Sequence, residues 1–195
     1  MGAEQVLLVN ARSINGKTAA IQDLTLDERA DLACITETWL DELGGSQQSY
    51  PLVCRLEILE NLCEGTIITI KGRIPTNAKR FSINLVCQDE ENIAFHFNPR
   101  FDNIMVMVFN TMKNGCWGAE ERGFGMPFLP GDTIEVEITA CRDFYKVYIN
   151  NKTYTEYKHR MPLKEVQAVV ILGDFHLTAI NSLSLPSYSP PESKT

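Results

Sequence analysis

His96-Phe97-Asn98-Pro99-Arg100 reads as a strand with two unlike sides. Side chains alternate between faces along an extended chain, so His96, Asn98 and Arg100 fall on one side while Phe95, Phe97 and Pro99 take the other. One side is apolar and packs. The other is a row of imidazole, amide and guanidinium. Asn110 follows, and then Trp117-Gly118-Ala119-Glu120-Glu121-Arg122, which adds two carboxylates, a second guanidinium and one indole. A sugar needs that combination, because its hydroxyls want oriented donors and acceptors while its C–H face wants a flat apolar plate. Trp117 can be the plate.

Outward from this stretch the alternation repeats. Short runs with period two lie between turn signals at 67–70, 81–86, 93–97, 106–109, 134–138 and 144–149, and no helical pattern of length competes with them. Ile134, Val136 and Ile138 alternate with Thr133, Glu135 and Glu137, as a strand with one wet face should. Asn150-Asn151 between two such runs is a hairpin signal. Many short strands and few helices predict an all-β sandwich or barrel.

The motifs H-x-N-P-R at 96–100, V-x-N at Val108-Phe109-Asn110 and W-G-x-E-x-R at 117–122, in that order, resemble the carbohydrate-recognition domain of the galectins. The likeness spans 50–186 and takes in Arg80-Phe81-Ser82-Ile83-Asn84-Leu85, Met126-Pro127-Phe128 and Pro130-Gly131. It implies a two-sheet antiparallel β-sandwich, jelly-roll-like, with a sugar groove on one outer face. It also implies a non-enzymatic lectin for β-galactosides of the lactose or N-acetyllactosamine type, with no metal or other cofactor. By the resemblance, the axial 4-hydroxyl of galactose receives hydrogen bonds from His96 and Arg100 and donates one to Asn98. Asn110 and Glu120 hold the 6-hydroxyl, Arg122 with Arg100 and Glu120 reaches the second sugar, and Trp117 stacks on the C–H face. A site built to bond a hydroxyl is penalised when that hydroxyl is misplaced, which would select galactose over glucose. A shallow wet groove suggests a Kd of about 10 µM to 1 mM.

Before that domain the sequence changes character. Residues 1–50 hold eight acids against three bases of a chain whose net charge is -7. Runs at 6–9 and 32–36 flank a helical pattern at 15–29, a small β-α-β appendage. Asn10-Ala11-Arg12-Ser13 and the stretch Asp31 to Leu40 resemble the opening of the endonuclease domain of non-LTR retrotransposons, within the endonuclease/exonuclease/phosphatase family. By that resemblance Asn10 and Glu37 would help hold a divalent metal, but one Glu and one Asn cannot complete a hydrolytic centre. The expected organisation is thus a truncated endonuclease-like fragment at 1–43, a Gly/Ser/Gln linker at 44–49, the galectin domain at 50–186, and a Pro/Ser-rich disordered tail at 187–195. A remnant metal-dependent nuclease and a glycan-silent interaction protein on the same scaffold are the competing readings.

The composition narrows the partners. With 44% hydrophobic residues the chain is ordinary for a globular protein. No basic stripe offers itself to nucleic acid, and no apolar stretch suggests membrane insertion. Six cysteines without C-x-x-C spacing read as free thiols. The start carries no signal-peptide pattern, so a cytoplasmic protein is expected, reaching the extracellular space by signal-peptide-independent secretion, as the galectin resemblance implies. One recognition domain gives one sugar site. Cross-linking glycans would then require self-association, for which a homodimer suffices.

Overall fold

The structure, a computed structural model, describes residues 32–35, 51–58, 62–89, 91–102, 104–123 and 125–184. The strands run in chain order as β1 (Leu32–Ile35), β2 (Leu52–Ile58), β3 (Thr66–Arg73), β4 (Phe81–Cys87), β5 (Ile93–Arg100), β6 (Val106–Lys113), β7 (Cys116–Trp117), β8 (Glu121–Gly123), β9 (Thr133–Ala140), β10 (Phe144–Ile149), β11 (Lys152–Lys158), β12 (Val166–Gly173) and β13 (His176–Ser184). A 3-10 turn at Leu163–Glu165 is the one helical element among the described residues. The strand and helix expected at 6–9 and 15–29, the linker and the tail lie outside the described residues. β1 falls where the second strand of the leading segment was expected, and it pairs antiparallel with β2 from Leu32 opposite Ile58 to Ile35 opposite Arg55.

The expected all-β, two-sheet antiparallel sandwich is what forms. One sheet runs β1-β2-β12-β4-β5-β6-β7, with β8 also on β6; the other runs β11-β10-β9-β3-β13. Period-two patterning explains why. β9 alternates exposed or half-buried residues with buried Ile134, Val136, Ile138 and Ala140, and β3 buries Ile68 and Ile70 by the same rule. Their partners across the core are Ile83, Leu85, Phe95, Phe97, Met107 and Phe109 of the first sheet. Each such side chain contributes roughly 1.5–3 kcal/mol by leaving water. Rings thicken this core: Phe81 stacks on Phe175 at 4.7 Å, and Phe95 lies 5.1 Å from both Tyr145 and Tyr157.

The Asn150-Asn151 hairpin forms as expected, with φ of 49° and 62°, the paired left-handed conformation that matches strand twist. Cys63, Cys87, Cys116 and Cys141 are free thiols. β7 and β8 have no counterpart in the sequence reading, since Trp117 to Gly123 shows no alternation. They exist because β6 offers them a partner: Trp117 sits opposite Met112, and Arg122 opposite Val108.

Candidate functional site

Pairing register, more than sequence distance, builds the site. In one row across the first sheet Val170, Asn84, His96 and Asn110 are direct neighbours, and in the next Asn98, Val108 and Arg122 are. Residues opposite one another share a face, so His96, Asn98, Arg100 and Asn110 all point away from the core, while Phe95 and Phe97 are fully buried behind them. Trp117 is placed by β7 beside the row. Its ring centroid is 4.6 Å from that of His96 at an interplanar angle of 51°, and the residue stays 40% exposed.

The polar row is held by its own hydrogen bonds. Asn98, only 5% exposed, donates from Nδ2 to the Phe81 carbonyl at 2.5 Å and accepts from Arg100 Nε at 2.8 Å. Glu120 then bridges two guanidinium groups: Oε1 accepts from Arg100 Nη2 at 3.0 Å and Oε2 from Arg122 Nη2 at 3.1 Å. Burial pushes the Glu120 carboxyl up, but the bond from Arg122 and the charge and bond of Arg100 outweigh it and hold it below the usual carboxylate range. The carboxylate therefore stays charged wherever the domain is folded near neutrality.

His96 is fixed by Asn84, whose residue is 2% exposed. The Asn84 amide donates from Nδ2 to the Val170 carbonyl and to Ser82 Oγ, each at 3.1 Å, so its Oδ1 must face the imidazole. Oδ1 lies 2.5 Å from His96 Nδ1. Two acceptors cannot bond, so Nδ1 carries the hydrogen and Nε2 is left as a lone pair. In that tautomer the single ring hydrogen of His96 is spent on Asn84. Burial first, and the Arg100 charge second, push the imidazole pKa down to about 4, so the ring is neutral at physiological pH.

Asn110 is 3% exposed and donates from Nδ2 to the Gly118 carbonyl at 3.0 Å. Gly118 packs closely there: a Cβ on it would lie 3.1 Å from Arg160 Nη1 and 3.3 Å from Asn110 Oδ1. Every candidate residue read from the sequence, His96, Asn98, Arg100, Asn110, Trp117, Glu120 and Arg122, thus lies in a network of neighbouring hydrogen-bonded groups on the first sheet or, for Trp117, against it. Asn84, Ser82 and Arg160 support that network and were not singled out in the sequence. Asn84 and Ser82 carried a signal, two buried polar residues two apart in an apolar strand. Arg160 carried none. His159, in the turn beside it, bonds the Cys141 carbonyl through Nε2 at 2.8 Å, and exposed His176 is a strand residue. Among the described residues no cluster of His, Cys, Asp and Glu could hold a metal ion.

A polar row braced on the outer face of a two-sheet sandwich, with an indole at its side, defines a lectin-type domain. Comparison with known proteins agrees. The galactoside-binding lectin family model matches residues 53–182, and the chain belongs to that family. Human galectin-7 is 42% identical over 123 residues, covering 62% of this chain and 90% of that one. Rat galectin-4 is 44% identical over 124 residues, 63% of this chain but 38% of its own longer one. Among solved structures, CG-16, a homodimeric agglutinin from chicken liver, has a TM-score of 0.58 at 32% identity, covering 63% of this chain and 94% of its own. Caenorhabditis elegans galectin LEC-6 shares the fold, with a TM-score of 0.62 at 22% identity over 70% of this chain and 94% of its own.

Proposed function

We propose that the chain is a β-galactoside-binding lectin for lactose and N-acetyllactosamine-type glycans, with His96, Asn98, Arg100, Asn110, Trp117, Glu120 and Arg122 as the sugar-contacting residues. The observation that carries the reading is the His96-Asn98-Arg100 row on one strand face, closed at one side by the Trp117 ring and at the other by Glu120. An axial hydroxyl entering this row accepts from Arg100 and donates its single proton. The acceptors available for it are His96 Nε2 and the second lone pair of Asn98 Oδ1, whose first lone pair accepts from Arg100 Nε. An equatorial hydroxyl would leave the imidazole lone pair and a guanidinium N–H unpaired, which costs about 1–3 kcal/mol each. Trp117 covers the C–H face, worth about 0.5–1.5 kcal/mol beyond the area buried. Nothing in this scheme needs a metal, a cofactor or a bond-breaking step.

The domain borders proposed are 50–186 for the lectin unit, preceded by an endonuclease-like fragment at 1–43 without nuclease activity and a linker at 44–49, and followed by a tail at 187–195. Galactosylated glycoproteins and glycolipids are the proposed partners, met in the cytoplasm or after signal-peptide-independent secretion, and a homodimer would pair two weak sites for avidity. Among the described residues no helix is long and apolar enough to cross a membrane. The test is retention of the full chain on immobilised lactose in the presence of EDTA, with elution by free lactose and not by sucrose. Folded protein in the flow-through would overturn the proposal.

A further inference from the structure

Arg160, in the turn after β11, reaches the site from behind. Its Nη1 donates to the Ala119 carbonyl at 2.9 Å and to Asn110 Oδ1 at 3.3 Å, and its Nη2 pairs with Glu121 Oε1 at 2.8 Å. The guanidinium lies 4.9 Å from the centre of the Tyr157 ring, and the Tyr157 hydroxyl is itself bonded to Thr111 Oγ1 at 2.8 Å. One planar cation therefore ties together the end of β11, the residue Asn110 on β6 and the 118–121 loop. The planar fork of arginine suits this; a lysine ammonium cannot span all three at once.

The consequence falls on Asn110. Its Oδ1 accepts from the Thr111 backbone N–H at 2.8 Å as well as from Arg160, which occupies both lone pairs. One Nδ2 hydrogen goes to Gly118, so the single group Asn110 has left to offer is the other Nδ2 hydrogen. We propose that Arg160 is a positioning residue that makes Asn110 a donor to the 6-hydroxyl of a bound galactoside and holds the loop bearing Glu120 as the acceptor opposite it. A hydroxyl between one fixed donor and one carboxylate can use both its lone pair and its proton. Without Arg160 the Asn110 amide loses one of the bonds that set its orientation, and a flipped amide would present an oxygen that competes with Glu120 for the same proton. This inference rests on the galactoside reading above.

The experiment compares lactose with 6′-deoxylactose, which lacks only that hydroxyl, by titration calorimetry on the full chain and on Arg160→Lys and Arg160→Met. Methionine keeps an apolar stem against Tyr157, and lysine keeps the charge beside Glu121. Lactose affinity is expected to fall about 5- to 20-fold in both variants while 6′-deoxylactose affinity changes by less than about 2-fold, since a hydrogen-bonded coupling disappears once its partner is gone. Equal losses on the two sugars, or unchanged lactose binding, would overturn the role of Arg160. Should Arg160→Met fail to fold, the lysine variant decides alone. A wild-type chain that binds neither sugar sinks the galactoside reading and this inference with it, a pattern distinct from a wild type that binds lactose and a variant that loses both sugars equally.

Discussion

The proton on His96 is placed by Asn84, one strand away, and the Asn84 amide is in turn oriented by the Val170 carbonyl on β12. A main-chain oxygen that never meets ligand thus decides whether the imidazole accepts or donates. The same arrangement sets how the site answers to acid, because a second proton on His96 can go only to Nε2, one of the acceptors proposed for the sugar hydroxyl.

Lactose affinity is therefore expected to be level from about pH 8 to about pH 5 and to fall as the pH approaches about 4, the depressed pKa of the half-buried His96. Arg100 and Arg80 hold the value down beside the burial effect, while the Asn98 bond and Glu120 pull the other way. The sign for stability follows. The unfolded imidazole titrates at 6.5 and the folded one near 4, so between those values the unfolded chain binds the extra proton. Any stability linked to His96 is full above the upper value, declines as pH drops through the window, and levels off below it. In Asn84→Asp the carboxylate would favour the imidazolium and raise the binding midpoint by about 1 unit or more. Calorimetric titration at stepped pH checks both; a wild-type midpoint at or above the ordinary histidine value would contradict the assignment.

Glu120→Gln is expected to cost binding far more than stability. The carboxylate neutralises and aligns Arg100 and Arg122 at once, and it is one-third exposed, so its contribution to folding is about 0–1 kcal/mol. Losing two charge-assisted bonds and the acceptor for a sugar hydroxyl should weaken lactose binding by about 10-fold or more. Thermal melting alongside titration separates the two. A large drop in Tm with affinity preserved would reverse the argument.

Much of this was legible in the chain because two periodicities coincide. His96, Asn98 and Arg100 alternate with Phe95 and Phe97, so the same run announces both a core face and a binding face, and the structure keeps that division. Length and register were less legible. β6 continues to Lys113, past residue 109 where its apolar run stops, since Asn110 and Thr111 are buried through hydrogen bonds that hydropathy does not register. β7 and β8 left no pattern because they depend on β6 for pairing, and Arg160 was unreadable because three of its partners lie about 40 or more residues away. Phe97→Ala tests the core side of the division: a cavity at a fully buried ring should cost about 3–5 kcal/mol, read as a lowered denaturation midpoint.

Gly118→Ala probes how tightly the loop is seated. The added methyl would lie 3.1 Å from Arg160 Nη1 and 3.3 Å from Asn110 Oδ1, closer than ordinary contacts, and the Gly118 amide donates to the Thr111 carbonyl at 2.9 Å. The crowding sits between Asn110, the Arg160 guanidinium and the segment that carries Trp117 and Glu120, so one of them must give by a few tenths of an ångström. Overpacking of this kind costs about 1–3 kcal/mol, and the variant should lose lactose affinity even where its melting point falls only slightly. Trp117 reports the displacement directly. Its indole emission should respond to lactose in the wild type, and in Gly118→Ala the response should appear only at higher sugar concentration. A titration curve superimposable on that of the wild type would mean that the loop does not need the close approach at Gly118.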